Sequence, residues 1–166
     1  MEVLLKKTAY EDKSILRQLM ELYAYDFTEF TGEEIDAHGF YGYRYFDQYW
    51  TEEERHPYFI MADGNIAGFV LVNQYTSFIK EGYSIAEFFI MRKYRRGGVG
   101  RKAACLAFGA HSGMWEVNEM DGNVVAQKFW ENVISEYTNG DFGTHEVMLG
   151  DAPGTGQHFH TDAHKV

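Results

Sequence analysis

The chain has a single cysteine, Cys105, among its 166 residues. No intramolecular disulfide can form, and a zinc site built on a cysteine cluster is excluded. Long hydrophobic runs are missing as well. The longest, Ile66 to Val72, is far too short to cross a bilayer. The apolar part of Met1-Glu2-Val3-Leu4-Leu5-Lys6-Lys7 is too short for a signal peptide, so a cytoplasmic location is expected. Positive charge is scarce, with 15 basic against 25 acidic residues and a net charge of −10. Such a surface repels nucleic acid and anionic membrane, and its field favours a cationic small substrate.

Against this acidic background stands one basic island. Arg92, Lys93, Arg95, Arg96, Arg101 and Lys102 fall within eleven positions, which points to a specific anion rather than a polyanion. Hydrophobic residues make up 45% and aromatics 17%, enough to exclude disorder, and the length suits one domain over residues 1–166. The aromatics crowd the stretch from Tyr23 to Trp50. Some of these rings are expected to line a pocket, although any one of them could simply pack the first helices.

Residues 2–7 read as an opening strand. Thr8-Ala9-Tyr10-Glu11 has the spacing of a capping box, and Ile15, Leu19, Leu22 and Tyr23 carry a first helix to about residue 25. A loop from 31 to 39 and a second, aromatic helix around 41–50 are predicted next. Segments 58–62 and 66–74 flank Asp63-Gly64-Asn65 as a hairpin, and Tyr83 to Met91 is apolar enough for a buried central strand. A helix over 98–112, a strand over 114–119, a helix over 123–137 and a strand over 144–149 follow. Gln157 to His160 suggests an added edge strand. The order β-α-α-β-β-β-α-β-α-β(-β) is that of an α/β domain around one mixed sheet with helices on both faces.

The chemistry is concentrated in Arg95-Arg96-Gly97-Gly98-Val99-Gly100-Arg101, between the central strand and a helix. Glycines let the backbone approach an anion with its N–H groups turned inward, the helix adds the positive end of its dipole, and the arginines add charge. A phosphate or pyrophosphate is the expected ligand. The Walker pattern fails, since no Gly-Lys-Ser/Thr follows. Gly98-Val99-Gly100-Arg101-Lys102-Ala103 does fit a dinucleotide fingerprint, with Glu119 or Asp121 as the downstream acid. That fingerprint belongs in a first βα turn, and here it follows more than 90 residues of helices and hairpin.

The same loop resembles the Arg/Gln-x-x-Gly-x-Gly/Ala motif of the GCN5-related N-acetyltransferases. Phe88 to Arg95 resembles the family's central strand entering its pyrophosphate loop. Asn123-Val124-Val125-Ala126-Gln127-Lys128-Phe129-Trp130 resembles its Asn-x-x-Ala-x-x-Phe-Tyr helix. The likeness covers residues 58–137 well and the opening elements more loosely. It implies acetyl-CoA as co-substrate, lying between the strands 85–91 and 114–119. The pyrophosphate would sit on backbone N–H groups from Arg96 to Arg101. The pantetheine arm would pair with the backbone around Phe89 and Ile90, and Asn123, Phe129 and Trp130 would border it. Asn123 suits a contact to pantetheine and equally an N-cap.

Glu87, a carboxylate on an otherwise apolar strand, suits a general base for an attacking amine. A structural carboxylate, or one that binds the substrate ammonium, is the alternative. The family's acidic tyrosine is replaced by Trp130, whose indole is no acid, which leaves Tyr137, water or nothing to protonate the thiolate. Cys105 reads as packing. No metal is assigned, although His145, His158 and His160 could share one. Asp26 and Glu29 could hold an amine or form a solvated helix end. The implied function is N-acetylation of a small-molecule amine. A protein or peptide acetyltransferase and an acyl-CoA-binding or sensing domain are the alternatives. Oligomeric state is open, a homodimer included.

Overall fold

A seven-stranded sheet carries the molecule, in the computed structural model, which describes residues 1–162. Its strands are β1 (Val3–Lys7), β2 (Arg55–Ala62), β3 (Asn65–Asn73), β4 (Tyr83–Ile90), β5 (Gly113–Met120), β6 (Gly143–Leu149) and β7 (Ala152–Thr161), in spatial order β1-β2-β3-β4-β5-β7-β6. Every neighbouring pair is antiparallel except β4 and β5. The three α-helices are α1 (Lys13–Thr31), α2 (Val99–Ala110) and α3 (Val124–Thr138). The β2–β3 hairpin turns where predicted, with Asp63 and Gly64 both at positive φ.

The two sheet faces are covered differently, as strand alternation requires. On one face Leu16, Leu19 and Met20 of α1 pack against Phe59, Phe69, Leu71 and Phe89. On the other, Ala103, Ala104, Ala107 and Phe108 of α2 and Trp130, Val133 and Ile134 of α3 cover Ile60, Val70, Val72, Trp115 and Val117. The alanine-rich face of α2 permits its close approach. Each fully buried large apolar chain of this kind contributes roughly 1.5–3 kcal/mol.

Four expectations are corrected. The capping box is not made. Thr8 is buried, its N–H bonds Pro57 O (2.9 Å) and its carbonyl accepts Trp50 Nε1 (3.1 Å), so it continues the β1–β2 contact and caps nothing. A 3-10 turn at Tyr10–Asp12 leads into α1, which extends to Thr31. The second helix is reduced to a 3-10 turn, Asp47–Trp50. Upstream of it the Glu21 carboxylate takes the N–H groups of Tyr41 (2.8 Å) and Gly42 (2.9 Å), and Gly42 sits at φ 73°, outside helical space. The last strand is not at the edge: β7 lies between β5 and β6, and β6 is the outer strand.

Candidate active site

β4 and β5 begin as partners and then part. They pair only at Tyr83↔Trp115 and Ser84↔Glu116, yet continue to Ile90 and Met120. One edge of β4 is therefore left without a ladder. Met91 N–H bonds Ala67 O (2.8 Å) on the β3 side, so alternation turns the backbone groups of Phe88 and Ile90 to the open side. Phe89, expected to offer its backbone there, faces β3 with its N–H and C=O. Its ring joins Tyr23 and Phe69. The gap is a cleft of about 1360 Å³ bordered by the end of α1, the 95–101 loop and the start of α3.

The loop has the geometry its glycines suggest. Arg96 and Gly98 adopt φ 66° and 77°, and Gly98 is the residue before the first turn of α2. This left-handed conformation costs a glycine nothing and an arginine some strain. Among the described residues, the N–H groups from Arg96 to Arg101 find no acceptor, and bonding resumes with Lys102 N–H to Gly98 O (3.1 Å). A row of free donors at a helix N-terminus fits a pyrophosphate. A Cβ at Gly100 would stand 3.4 Å from the Phe129 ring, in van der Waals contact, so α2 lies close against Phe129 of α3 there.

The arginines divide their work. Arg95 Nε bonds the Ile90 carbonyl (2.7 Å), and its Nη2 bonds Asp26 of α1, which Arg92 also reaches (2.7 Å). The Arg95 bond above all, with Arg92, holds the Asp26 carboxyl below its ordinary range. Asp26 thus ties α1 to the loop. Arg101 pairs with Glu136 on α3.

Glu87 stands on β4 beside a bulge: Leu71 pairs with it while Val72 pairs with Ile85, leaving Ala86 extra. Its carboxylate accepts a hydrogen bond from the Tyr23 hydroxyl, and Tyr43 also faces it. Burial among these rings pushes the carboxyl up to about 7, against the pull of the two hydroxyls and with some help from Glu33. Burial likewise raises Tyr23 and Tyr43, so both remain donors.

At the far side, Asn123 caps α3, its Oδ1 accepting Ala126 N–H (3.1 Å), and it also borders the cleft. Phe129 and Trp130 reach the cleft wall as well. Trp130 is nonetheless largely a core side chain, edge-on to Phe88 (5.0 Å) and close to Phe108. Gly97 and Val99 do not border the cleft; Val99 is buried beneath the loop. Tyr137 packs against Phe108 (5.3 Å) away from the cleft. The half-buried Cys105 sits in α2 with its thiol pushed up by burial.

A model of the acetyltransferase (GNAT) family matches residues 16–133. The chain belongs to that family. It is an acetyl-CoA-dependent N-acetyltransferase by membership. Solved structures show the fold across the whole chain. An acetyltransferase from Thermus thermophilus superposes with a TM-score of 0.70 at 14% identity, covering 97% of this chain and 98% of its own. An aminoglycoside acetyltransferase in complex with coenzyme A gives 0.68 at 15%, covering 98% and 96%. Spermidine N-acetyltransferase from Vibrio cholerae, in complex with coenzyme A and spermine, gives 0.67 at 12%, covering 95% of each chain. Nothing matches among curated proteins.

Several groups at the site were not legible as functional. Glu116 is fully buried and accepts the N–H groups of Phe78 and Ile79 (2.9 Å each) and of Ser77, which clamps the β3–β4 connection beside the cleft. Asn118 donates to Glu116 (3.1 Å) and accepts from His145 Nε2 (2.7 Å), whose Nδ1 meets His158 Nδ1 (3.0 Å). These two histidines are thus spent on hydrogen bonds, and His160 pairs with Asp162 (3.7 Å). No group of three metal-ligating side chains is found among the described residues. No helix among them is long and apolar enough to cross a membrane.

Proposed function

We propose that the protein acetylates a primary amine of a small molecule, by direct attack on acetyl-CoA held in the same cleft. The observation that carries this reading is the position of Glu87. It is a carboxyl near neutrality at the wall of the cleft, on the strand whose free edge would take the pantetheine arm. Bound acetyl-CoA supplies an activated acetyl group with a thiolate leaving group. The N–H groups from Arg96 to Arg101 would hold its pyrophosphate, with Arg96 adding charge. The edge groups of Phe88 and the Ile90 N–H would hold the arm, Asn123 would border it, and Phe129 would form its floor.

Glu87 takes the proton that the amine must lose, directly or through one water. Tyr23 and Tyr43 orient its carboxylate. Tyr23, Phe27 and Phe30 of α1 give the acceptor an aromatic wall, and Glu29 offers it a carboxylate. An aromatic wall with carboxylates at the acceptor end suits an amine of low molecular weight better than a folded protein's surface. The test is a thiol-release screen with acetyl-CoA against polyamines, aminoglycosides, amino acids and peptides. Turnover with a small amine supports the reading. Turnover confined to peptides, or binding of acetyl-CoA with no thiol released above background, defeats it.

A further inference from the structure

The replacement of the family's acidic tyrosine by Trp130 leaves the departing sulfur without its usual proton donor, and a carboxyl on the facing strand also borders the cleft. Glu119 lies on β5 and borders the same cleft as Glu87. The last paired positions of the two diverging strands are Ser84 and Glu116. Glu87 is three residues beyond the first, one of them the extra residue of the Ala86 bulge, and Glu119 three beyond the second, so both carboxyls lie past the point where the strands part, on opposite lips. They also lie on opposite faces. Glu87 meets Tyr23 of α1, whereas Glu119 alternates with Val117 onto the face that α3 covers.

Glu119 is 5% exposed, and only a long bond from Gln157 Nε2 (3.4 Å) reaches its Oε2. Its Oε1 has no partner, and neither has the buried Oε1 of Gln157. Two neighbouring buried acceptors that lack a donor are the pattern of a carboxyl carrying its proton, because that O–H is the missing donor. No basic side chain pairs with Glu119 among the described residues. Burial pushes it up to about 8, against the pull of Gln157 and with Glu131 of α3 adding to the rise.

We propose that Glu119 is the catalytic proton donor to the departing thiolate, a role that rests on the acetyl-transfer reading above. The amine nitrogen bonds the acetyl carbon and gives a proton to Glu87. The carbon–sulfur bond breaks with its electron pair on sulfur, and Glu119 protonates that sulfur and becomes a carboxylate. Water then takes the proton from Glu87 and returns one to Glu119, with no change of oxidation state. Base and acid are both in their working forms between about pH 7 and pH 8.

The test begins on the full-length protein without acetyl-CoA, followed by infrared spectroscopy in the carboxyl region. A protonated-carboxyl band that titrates away near pH 8 and is missing from Glu119→Gln is the expected result. In turnover, Glu119→Gln should lose on the order of 10²-fold in kcat and the alkaline limb of the pH profile, with acetyl-CoA affinity kept. Gln157→Leu removes a group that favours the carboxylate, so band midpoint and alkaline limb should move up together. If Glu119→Gln keeps both kcat and the limb, or the band persists in it, the proposal is overturned while the acetyl-transfer reading stands. Should Glu119→Gln fail to fold, Gln157→Leu decides, and an unmoved midpoint and limb overturn the proposal. A wild-type protein that binds acetyl-CoA and releases no thiol with any amine defeats the underlying reading, and the proposal with it.

Discussion

On the 95–101 side of the cleft the working groups are backbone N–H donors from one unbroken stretch of chain. On the Glu87 side they are side chains brought from α1, from the segment before the 47–50 turn and from β4. The first arrangement depends on φ and ψ and hardly on which side chains the loop carries. The second depends on side-chain identity and on a buried environment that sets a protonation state. The two walls should therefore fail under different substitutions, and the failures should separate binding from chemistry.

The widest separation is expected from Glu87→Gln. It should lower kcat by roughly 10²–10³-fold, the usual worth of a positioned base, with acetyl-CoA affinity unchanged by calorimetry. Equal losses in both quantities would mean that the walls do not act separately. The mirror experiment is Gly98→Val. A Cβ at Gly98 would meet nothing within 4 Å, so the cost is the left-handed φ of 77° alone. About 1–3 kcal/mol of strain is expected for a branched residue there. Acetyl-CoA affinity should drop about tenfold or more if the loop relaxes to relieve that strain, while Glu87 titrates unchanged. Arg96→Ala removes one charge and keeps the donors, so its effect should be smaller and should fade with salt.

The same contrast governs what could be read before the fold was known. The geometry of the 95–101 loop was legible because its glycines, its arginines and the helix that follows are consecutive in the chain. The β2–β3 hairpin and α3 with its Asn123 cap were legible for the same reason. Glu87 stood out as a lone carboxylate on an apolar strand, but its partner Tyr23 lies 64 positions away and had no local signal. The aromatic stretch misled. Its rings have the composition of a core helix, yet Glu21, a residue of another element, captures the backbone N–H groups of Tyr41 and Gly42 and holds the chain out of a helix there. Glu119 could have been flagged by the argument used for Glu87, since it too is an acid on a strand. It passed instead as a candidate downstream acid of the dinucleotide fingerprint. The histidines paired as a metal set in sequence are joined to Asn118 and to each other by cross-strand register, which pattern alone does not provide.

A finer probe of the side-chain wall is Tyr23→Phe. The Tyr23 hydroxyl lowers the Glu87 carboxyl towards its value of about 7, so removing it should move the carboxyl higher. Less of the base is then ionised at pH 7, and the acidic limb of kcat should shift to higher pH with a rate loss of roughly three- to fivefold at neutrality. The ring contacts with Phe27 and Phe69 remain, so the melting temperature should change little. Stability has its own pH signature. The folded Glu87 and Glu119 bind protons more tightly than the unfolded chain, because burial raises both. Stability from these groups is complete below the unfolded carboxyl range. It is lost as pH rises through about 7 for Glu87 and about 8 for Glu119. The melting temperature should fall over that window, and Glu87→Gln should flatten its lower part.

The smallest expected effect concerns an ion-pair contact that joins the two walls. Asp26, on the helix that carries Tyr23, holds Arg92 and Arg95 of the loop side. Arg92 is 77% exposed and Arg95 40%, so screening limits each pair to about 0.2–1 kcal/mol. Leu16, Leu19 and Met20 hold α1 in place without it. Asp26→Asn therefore costs little in folding, and it frees two guanidinium groups from a competing anion beside the 95–101 loop. Acetyl-CoA should bind about two- to threefold more tightly to Asp26→Asn at low ionic strength, and the gain should vanish in high salt. Weaker binding at every salt concentration would give Asp26 the opposite role, as the strut that keeps the loop in shape. The side-chain wall would then be a support for the backbone wall, and the two could not be taken as independent.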